Sequence, residues 1–198
     1  MRIWLGIVVT ASLTTGALAQ FAEGHRSEFT GFEDCEDRDP GDLSPYLQVC
    51  LGPQGQEIWL PYSEHSSAMA IGPNGIEAQL DERPSLAGLD MMIGPVIDWR
   101  YRPDGDEPYA AIVRYRGLTP NYNQETGEYT GGTTTNSNIL VVIALRADEQ
   151  VSACHMAYIN AMEMPNANEI AHDLAADLEP RFVCGETRYL NADHPAWD

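Results

Sequence analysis

The sequence contains no lysine, so its eleven basic residues are all arginines, and they stand against thirty aspartates and glutamates. The formal net charge at pH 7 is −19. So strong a negative charge argues against nucleic acids and anionic membrane surfaces as partners, because it repels phosphate groups. A cationic protein, for example a lysozyme, is the partner class that the charge favours. The alternative is an acidic surface that only keeps the protein in solution.

Long apolar runs are also missing beyond the first 19 residues. A helix that crosses a membrane needs about 20 consecutive apolar residues, and no later segment reaches that length. The N-terminus has Arg2, an apolar stretch over residues 3–13 and a small-residue site that ends at Ala19. This order is typical of a secretory signal peptide, residues 1–19, cleaved after Ala19. The sequence therefore predicts a periplasmic or secreted protein with a single domain over residues 20–198.

Motifs typical of catalytic or metal-binding sites are equally scarce. The cysteines show no C-x-x-C spacing, which a zinc or redox site would favour. The acidic segment 33–42 lacks the ligand order of a calcium-binding loop, and the chain has no G-x-S-x-G elbow of a hydrolase. We therefore predict no metal site, no cofactor and no catalytic residue.

Two histidines keep a periplasmic hydrolase open as an alternative. His65 lies among serines and next to Glu64, and His155 follows Cys154 in a strand-like segment. A serine hydrolase needs a nucleophile, a base and an orienting acid that meet in space. Neighbours along a strand point to opposite faces, so the sequence adjacency around His65 is no evidence of a triad.

The four cysteines are even in number and all follow the predicted signal peptide. In an oxidising compartment this favours two disulfides. Four cysteines allow three connectivities, and the sequence alone does not choose between them. We favour Cys35–Cys50 and Cys154–Cys184, because each pair brackets one compact unit.

The C-terminal third predicts the centre of the fold. Residues 139–145 form a continuous apolar, β-branched run, which is typical of a strand buried on both faces. Residues 154–159 predict a second strand, and residues 166–179 predict a helix with one apolar stripe. The expected fold class is α+β, an antiparallel β-sheet with a C-terminal α-helix packed on it and two disulfides. The stripe consists of Ala167, Ile170, Ala171, Leu174, Ala175 and Leu178.

The segments before this centre predict short strands separated by turns. A turn is expected over residues 33–42, a short helix over residues 85–92, and a long polar loop with a disordered tip over residues 117–137. The predicted strands are residues 29–32, 46–51, 57–62 and 67–71, with a hairpin between the second and the third.

Residues 96–102 and 109–116 predict a second hairpin, which has an arginine-rich face. Because side chains alternate along a strand, bringing the apolar sets of both strands together places the arginines together beside Asp98. Like charges opposite each other destabilise a sheet. The arginines therefore need acidic partners within the protein or an anionic ligand, which guanidinium groups bind well. The candidate ligand residues are Arg100, Arg102, Arg114 and Arg116.

Several segments resemble a family of uncharacterised exported bacterial proteins. The resemblance covers about half of the chain beyond the predicted signal peptide, and its specific part is a cysteine–strand–helix–cysteine layout. It implies export and this C-terminal architecture, and it carries no catalytic residue across. The matching segments are residues 97–100, 109–115, 140–142, 154–161 and 165–168, followed by Phe182 and Cys184.

Together these observations predict an exported, acidic, non-enzymatic binding or interaction protein of the bacterial envelope. A hydrolase that uses His65 or His155 and a structural envelope component remain the alternatives.

Overall fold

A computed structural model describes residues 24–39, 46–63, 67–72, 91–146 and 153–194. The predicted signal peptide, His65 and most of the predicted helix at 85–92 lie outside these residues. The described elements are β1 (Arg26–Gly31), β2 (Cys35–Arg38), β3 (Tyr46–Leu51), β4 (Glu57–Tyr62), β5 (Ala70–Ile71), β6 (Met91–Tyr101), β7 (Pro108–Tyr122), β8 (Tyr129–Leu145), β9 (Ala153–Asn160), α1 (Ala167–Leu178) and β10 (Arg188–Leu190).

The strands form two sheets. One has six strands in the order β1-β6-β7-β8-β9-β10, and the other has four in the order β2-β3-β4-β5. All neighbouring strands run antiparallel except β9 and β10, which are parallel. The six-stranded sheet is therefore mixed.

The six-stranded sheet lies between two covering layers. One face packs against α1, and the opposite face packs against the four-stranded sheet. The predicted core strand shows why both covers are needed, because its alternate residues are buried in different clusters. Leu140 and Val142 belong to the cluster under the helix, whereas Val141 and Ile143 belong to the cluster between the sheets.

The predicted α+β class is wrong. Strands make up 57% of the described residues, and α1 with the 3₁₀ turn that follows it spans only 15 residues. The prediction placed all strands in one antiparallel sheet. The aromatic face of β6 and β7, which includes Trp99 and Tyr115, is instead buried by a separate N-terminal sheet. An apolar face on each side of one sheet requires two covering layers.

The predicted polar loop at 117–137 is also wrong, because β7 and β8 continue through it as a two-stranded arm. The pairing of β6 with β7 ends at Gly117, and the pairing of β9 with β8 begins at Ile139, so the arm extends beyond both neighbouring strands. Its turn is closed by Asn123, whose Oδ1 accepts the backbone N–H groups of Glu125 at 2.8 Å and Thr126 at 3.2 Å. The β-branched threonines of this segment favour strands even where no apolar face is buried. Similarly, β2 replaces part of the turn expected at 33–42.

Both favoured disulfides are present, Cys35–Cys50 and Cys154–Cys184. The first joins residues that are directly opposite each other on β2 and β3. The second ties β9 to the segment that follows α1. Two disulfides indicate an oxidising, non-cytoplasmic compartment. None of the helices in the described ranges is long and apolar enough to cross a membrane.

Candidate functional site

The arginine-rich face of β6 and β7 lies beneath α1. Arg100 is only 2% exposed and Asp98 only 9%. Their partners across the strand pair are Ala110 and Ile112, and both of these contribute to the core under the helix. The four candidate arginines are thereby separated into different environments, since Arg100 is buried, Arg114 is half-buried, and Arg102 and Arg116 are exposed.

Arg102 has an acidic partner within the protein. It forms an ion pair with Glu179, which is 6% exposed and directly follows α1. Arg146 pairs with the same carboxylate and also donates to the backbone oxygens of Glu179 at 3.0 Å and Phe182 at 2.9 Å. These contacts join the end of the helix to two strands.

Arg100 lies in a second buried polar cluster, where it donates to the hydroxyl of Ser27. Burial lowers the pKa of His25, and the charges of Arg100 and Arg102 lower it further. Burial also raises the pKa of Tyr109, although the charge of Arg100 lowers it. A neutral histidine and a protonated tyrosine fit the 2.8 Å contact in which the Tyr109 hydroxyl donates to Nδ1 of His25.

The lowered pKa of His25 predicts a loss of stability in acid. A histidine whose folded-state pKa is depressed stabilises the fold above the unfolded value of 6.5, and this contribution is lost as the pH falls through the folded-state pKa. We expect the free energy of unfolding to fall less between pH 7 and pH 5 in His25→Gln than in the wild type. Urea unfolding at both pH values measures the difference. The same change at exposed His194 is the control, and an equal effect of the two variants would contradict the assignment.

A cleft of about 480 Å³ opens between the start of α1 and strands β6, β7 and β8. Its apolar surface includes Ile112 and Leu140, which are buried, and Phe29 and Val96, which are exposed at 64% and 46%. Its volume lies in the range of pockets that hold small organic ligands. Its polar lining comes from Asp98, Arg114, Asn166, Asn168, Glu169 and His172.

Arg114 is held by amide oxygens. Its Nη1 donates to Oδ1 of Asn138 at 2.5 Å, and its Nη2 donates to Oδ1 of Asn168 at 2.9 Å. It makes no ion pair within the described part of the chain. Burial lowers the pKa of Arg114, and the charge of Arg116 lowers it further. The cleft therefore contains a half-buried cation whose charge is not balanced by a bonded carboxylate.

The start of α1 adds to this positive potential. Asn166 is the N-cap residue and lines the cleft, but its side chain makes no capping hydrogen bond. The first N–H groups of a helix have no partner within the helix and carry a partial positive charge. A negatively charged ligand group is therefore favoured where Arg114 meets the first turn of α1.

Asp98 and His172 also line the cleft. Nε2 of His172 donates to Oδ2 of Asp98 at 2.8 Å, and this contact joins α1 to β6. Oδ1 of Asp98 is buried without a hydrogen-bond partner among the described residues. Nδ1 of His172 is enclosed as well. Because this second nitrogen does not face the cleft, the pair is poorly arranged for acid–base catalysis on a bound molecule.

His172 is not part of the apolar stripe predicted for the helix, and its place on the polar side beside Asp173 predicts that it faces solvent, which is wrong. Its side chain is 15% exposed. The helix presents Ala167, Ala171 and Ala175 to the sheet, and all three are buried. Such small side chains let a helix lie close to a sheet, so the flanking positions are drawn into contact with it. The signal was the alanine spacing, together with the charged residues expected on the facing strands.

His155, one of the two histidines proposed for a hydrolase, does not line the cleft. His155 is 1% exposed within β9, and its Nδ1 contacts the Tyr158 hydroxyl at 2.9 Å. A catalytic base must reach its substrate, and burial of His155 weighs against that role. His65 lies outside the described residues.

Comparison of the chain with protein-family models, curated proteins and solved structures found no match. The resemblance to exported bacterial proteins stays a prediction from the sequence. The geometry of the cleft is therefore the observation that bears on function.

Proposed function

We propose that this is an exported binding protein whose cleft takes a small organic molecule with a carboxylate group and an apolar body. The observation that carries the proposal is the position of Arg114, a half-buried cation with amide partners at the first turn of a helix. The carboxylate would accept hydrogen bonds from the guanidinium and from the helix N-terminus. The apolar body would lie on Ile112 and Leu140.

Export would follow from the signal peptide predicted over residues 1–19, with cleavage after Ala19. The oxidising compartment indicated by the disulfides supports this step. The net charge of −19 also supports the earlier expectation of a cationic protein partner on the acidic surface. The cleft provides the more specific observation, because it combines shape, apolar surface and a guanidinium group without a bonded carboxylate.

Replacement of Arg114 by glutamine tests the carboxylate site. We expect 4-methylpentanoate and phenylacetate to bind the wild-type protein, and their affinities to fall about 10-fold or more in Arg114→Gln, because a hydrogen bond to a charged group is lost. Isothermal titration calorimetry measures both affinities.

Arg116→Gln is the matched control, because Arg116 is exposed two residues away on β7 and does not line the cleft. It removes the same charge and should leave the affinities nearly unchanged. Equal losses in the two variants, or no binding of either acid to the wild type at millimolar concentration, would contradict the proposed function.

A further inference from the structure

The side chains that line the cleft include negative as well as positive charge. Arg114 lines it from β7, beside the start of α1. Asp98 lines the cleft from the sheet, and Glu169 lines it from the first turn of α1. Glu169 is exposed and makes no ion pair in the described ranges. A ligand in the cleft would therefore contact charges of both signs.

Asp98 gives the stronger indication that the ligand carries a positively charged group. It is 9% exposed, and a carboxylate at this depth normally accepts several hydrogen bonds. His172 supplies one of them, and Oδ1 has none among the described residues. The second oxygen of Asp98 is enclosed beside the cleft that this residue lines. A positively charged donor next to Asp98 would stabilise this buried charge.

The charge balance favours a zwitterion over a simple anion. Besides His172, the charged side chains that line the cleft are one arginine and two carboxylates. A ligand with only a carboxylate would add a second negative charge near Asp98 and Glu169. A ligand that carries both a carboxylate and an ammonium group can place each of these charges next to a side chain of opposite charge.

The distance between Asp98 and Arg114 agrees with the length of a small molecule. Asp98 is paired with Ile112, and Arg114 is two residues further along β7. Such diagonal neighbours are about 7–8 Å apart, with their Cβ atoms somewhat closer. Arg114 reaches away from β6 towards Asn138 and Asn168, which widens the separation of the charged groups.

We infer that the cleft binds an apolar amino acid or a short apolar peptide, with its carboxylate at Arg114 and its ammonium group between Glu169 and Asp98. The apolar side chain lies on Ile112 and Leu140 and extends towards Phe29 and Val96. This inference rests on the proposed function and adds the ammonium group to it. A free amino acid and a peptide share this chemistry and differ in the distance between their charges.

The test compares leucine, leucyl-leucine and 4-methylpentanoate, which is leucine without its amino group, by isothermal titration calorimetry. Leucine or leucyl-leucine should bind about 10-fold or more tightly than 4-methylpentanoate, which lacks one charged hydrogen bond. Tighter binding of leucine identifies a free amino acid as the ligand, and tighter binding of leucyl-leucine identifies a peptide.

Glu169→Gln and Asp98→Asn should each reduce this preference, and Glu125→Gln in the turn of the arm is the control that should leave it unchanged. Glu169 is exposed, so its variant keeps the test valid even if Asp98→Asn fails to fold. If 4-methylpentanoate binds as tightly as the two zwitterions and still requires Arg114, the inference is overturned and the proposed function stands. If none of the three ligands binds the wild type, both are overturned.

Discussion

Replacement of Glu179 by glutamine should lower the free energy of unfolding by about 3 kcal/mol, because it leaves two arginines without their shared carboxylate. Glu179 is 6% exposed, and the Arg146 side chain that it binds is 20% exposed. Loss of one member of a buried ion pair is expensive because the remaining charge stays out of water. Urea unfolding followed by circular dichroism measures the change.

A control variant and a double variant test whether Glu179 acts through these arginines. Glu186→Gln changes an exposed carboxylate and should alter stability by less than about 0.5 kcal/mol. The double variant Glu179→Gln/Arg146→Gln should lose less than the sum of its single changes, because both remove the same interaction. Additive losses, or a loss below about 1 kcal/mol in Glu179→Gln, would show that this cluster does not hold the helix end to the sheet.

Removal of the Cys154–Cys184 disulfide by a double change to alanine should cost about 3–4 kcal/mol. The bond closes a segment with a sequence separation of 30, and cross-links of this length restrict the unfolded chain strongly. It also ties β9 to the chain beyond α1, so its loss frees the helix layer. Chemical unfolding under non-reducing conditions measures the effect.

The Cys35–Cys50 disulfide provides the comparison. Its sequence separation is 15, and its two cysteines already face each other in the ladder between β2 and β3. Removal of this pair should therefore cost less than removal of Cys154–Cys184. An equal or larger loss would mean that the N-terminal sheet depends on its cross-link more than the helix layer does.

Local patterns in the sequence predicted the central elements well. The apolar run at 139–145 lies in β8 and is buried on both faces, and the predicted helix at 166–179 contains α1. Period-2 alternation also placed Ile97 and Trp99 on one face of β6. These predictions succeeded because burial imposes a regular period on the residues themselves.

The same patterns did not predict how the strands and hairpins pack together. Nothing in residues 46–62 distinguishes a hairpin that extends a sheet from one that packs across its face, and the chain does the latter. The arm formed by β7 and β8 has few apolar residues, so alternation could not reveal it. The parallel pairing of the three-residue strand β10 with β9 likewise depends on the chain returning past α1.

Only part of the candidate site could be predicted from the sequence. The sequence placed Asp98, Arg100 and Arg114 on one face, but it did not show that a helix covers that face. As a result Arg102 turned out to have an internal acid, Glu179, whereas Arg114 meets amide groups at the helix start. The cleft exists because two chain segments meet, and one hairpin alone does not contain it.

The most direct test of the cleft is a titration of ¹⁵N-labelled wild-type protein with 4-methylpentanoate and with leucine, followed by two-dimensional NMR. The cleft assignment predicts that the largest shift changes occur at the Arg114 Nε–H group, the Asn168 side-chain amide and the backbone amides of residues 166–169. Changes centred on the arm at 118–136, or saturation without change at Arg114, would contradict it.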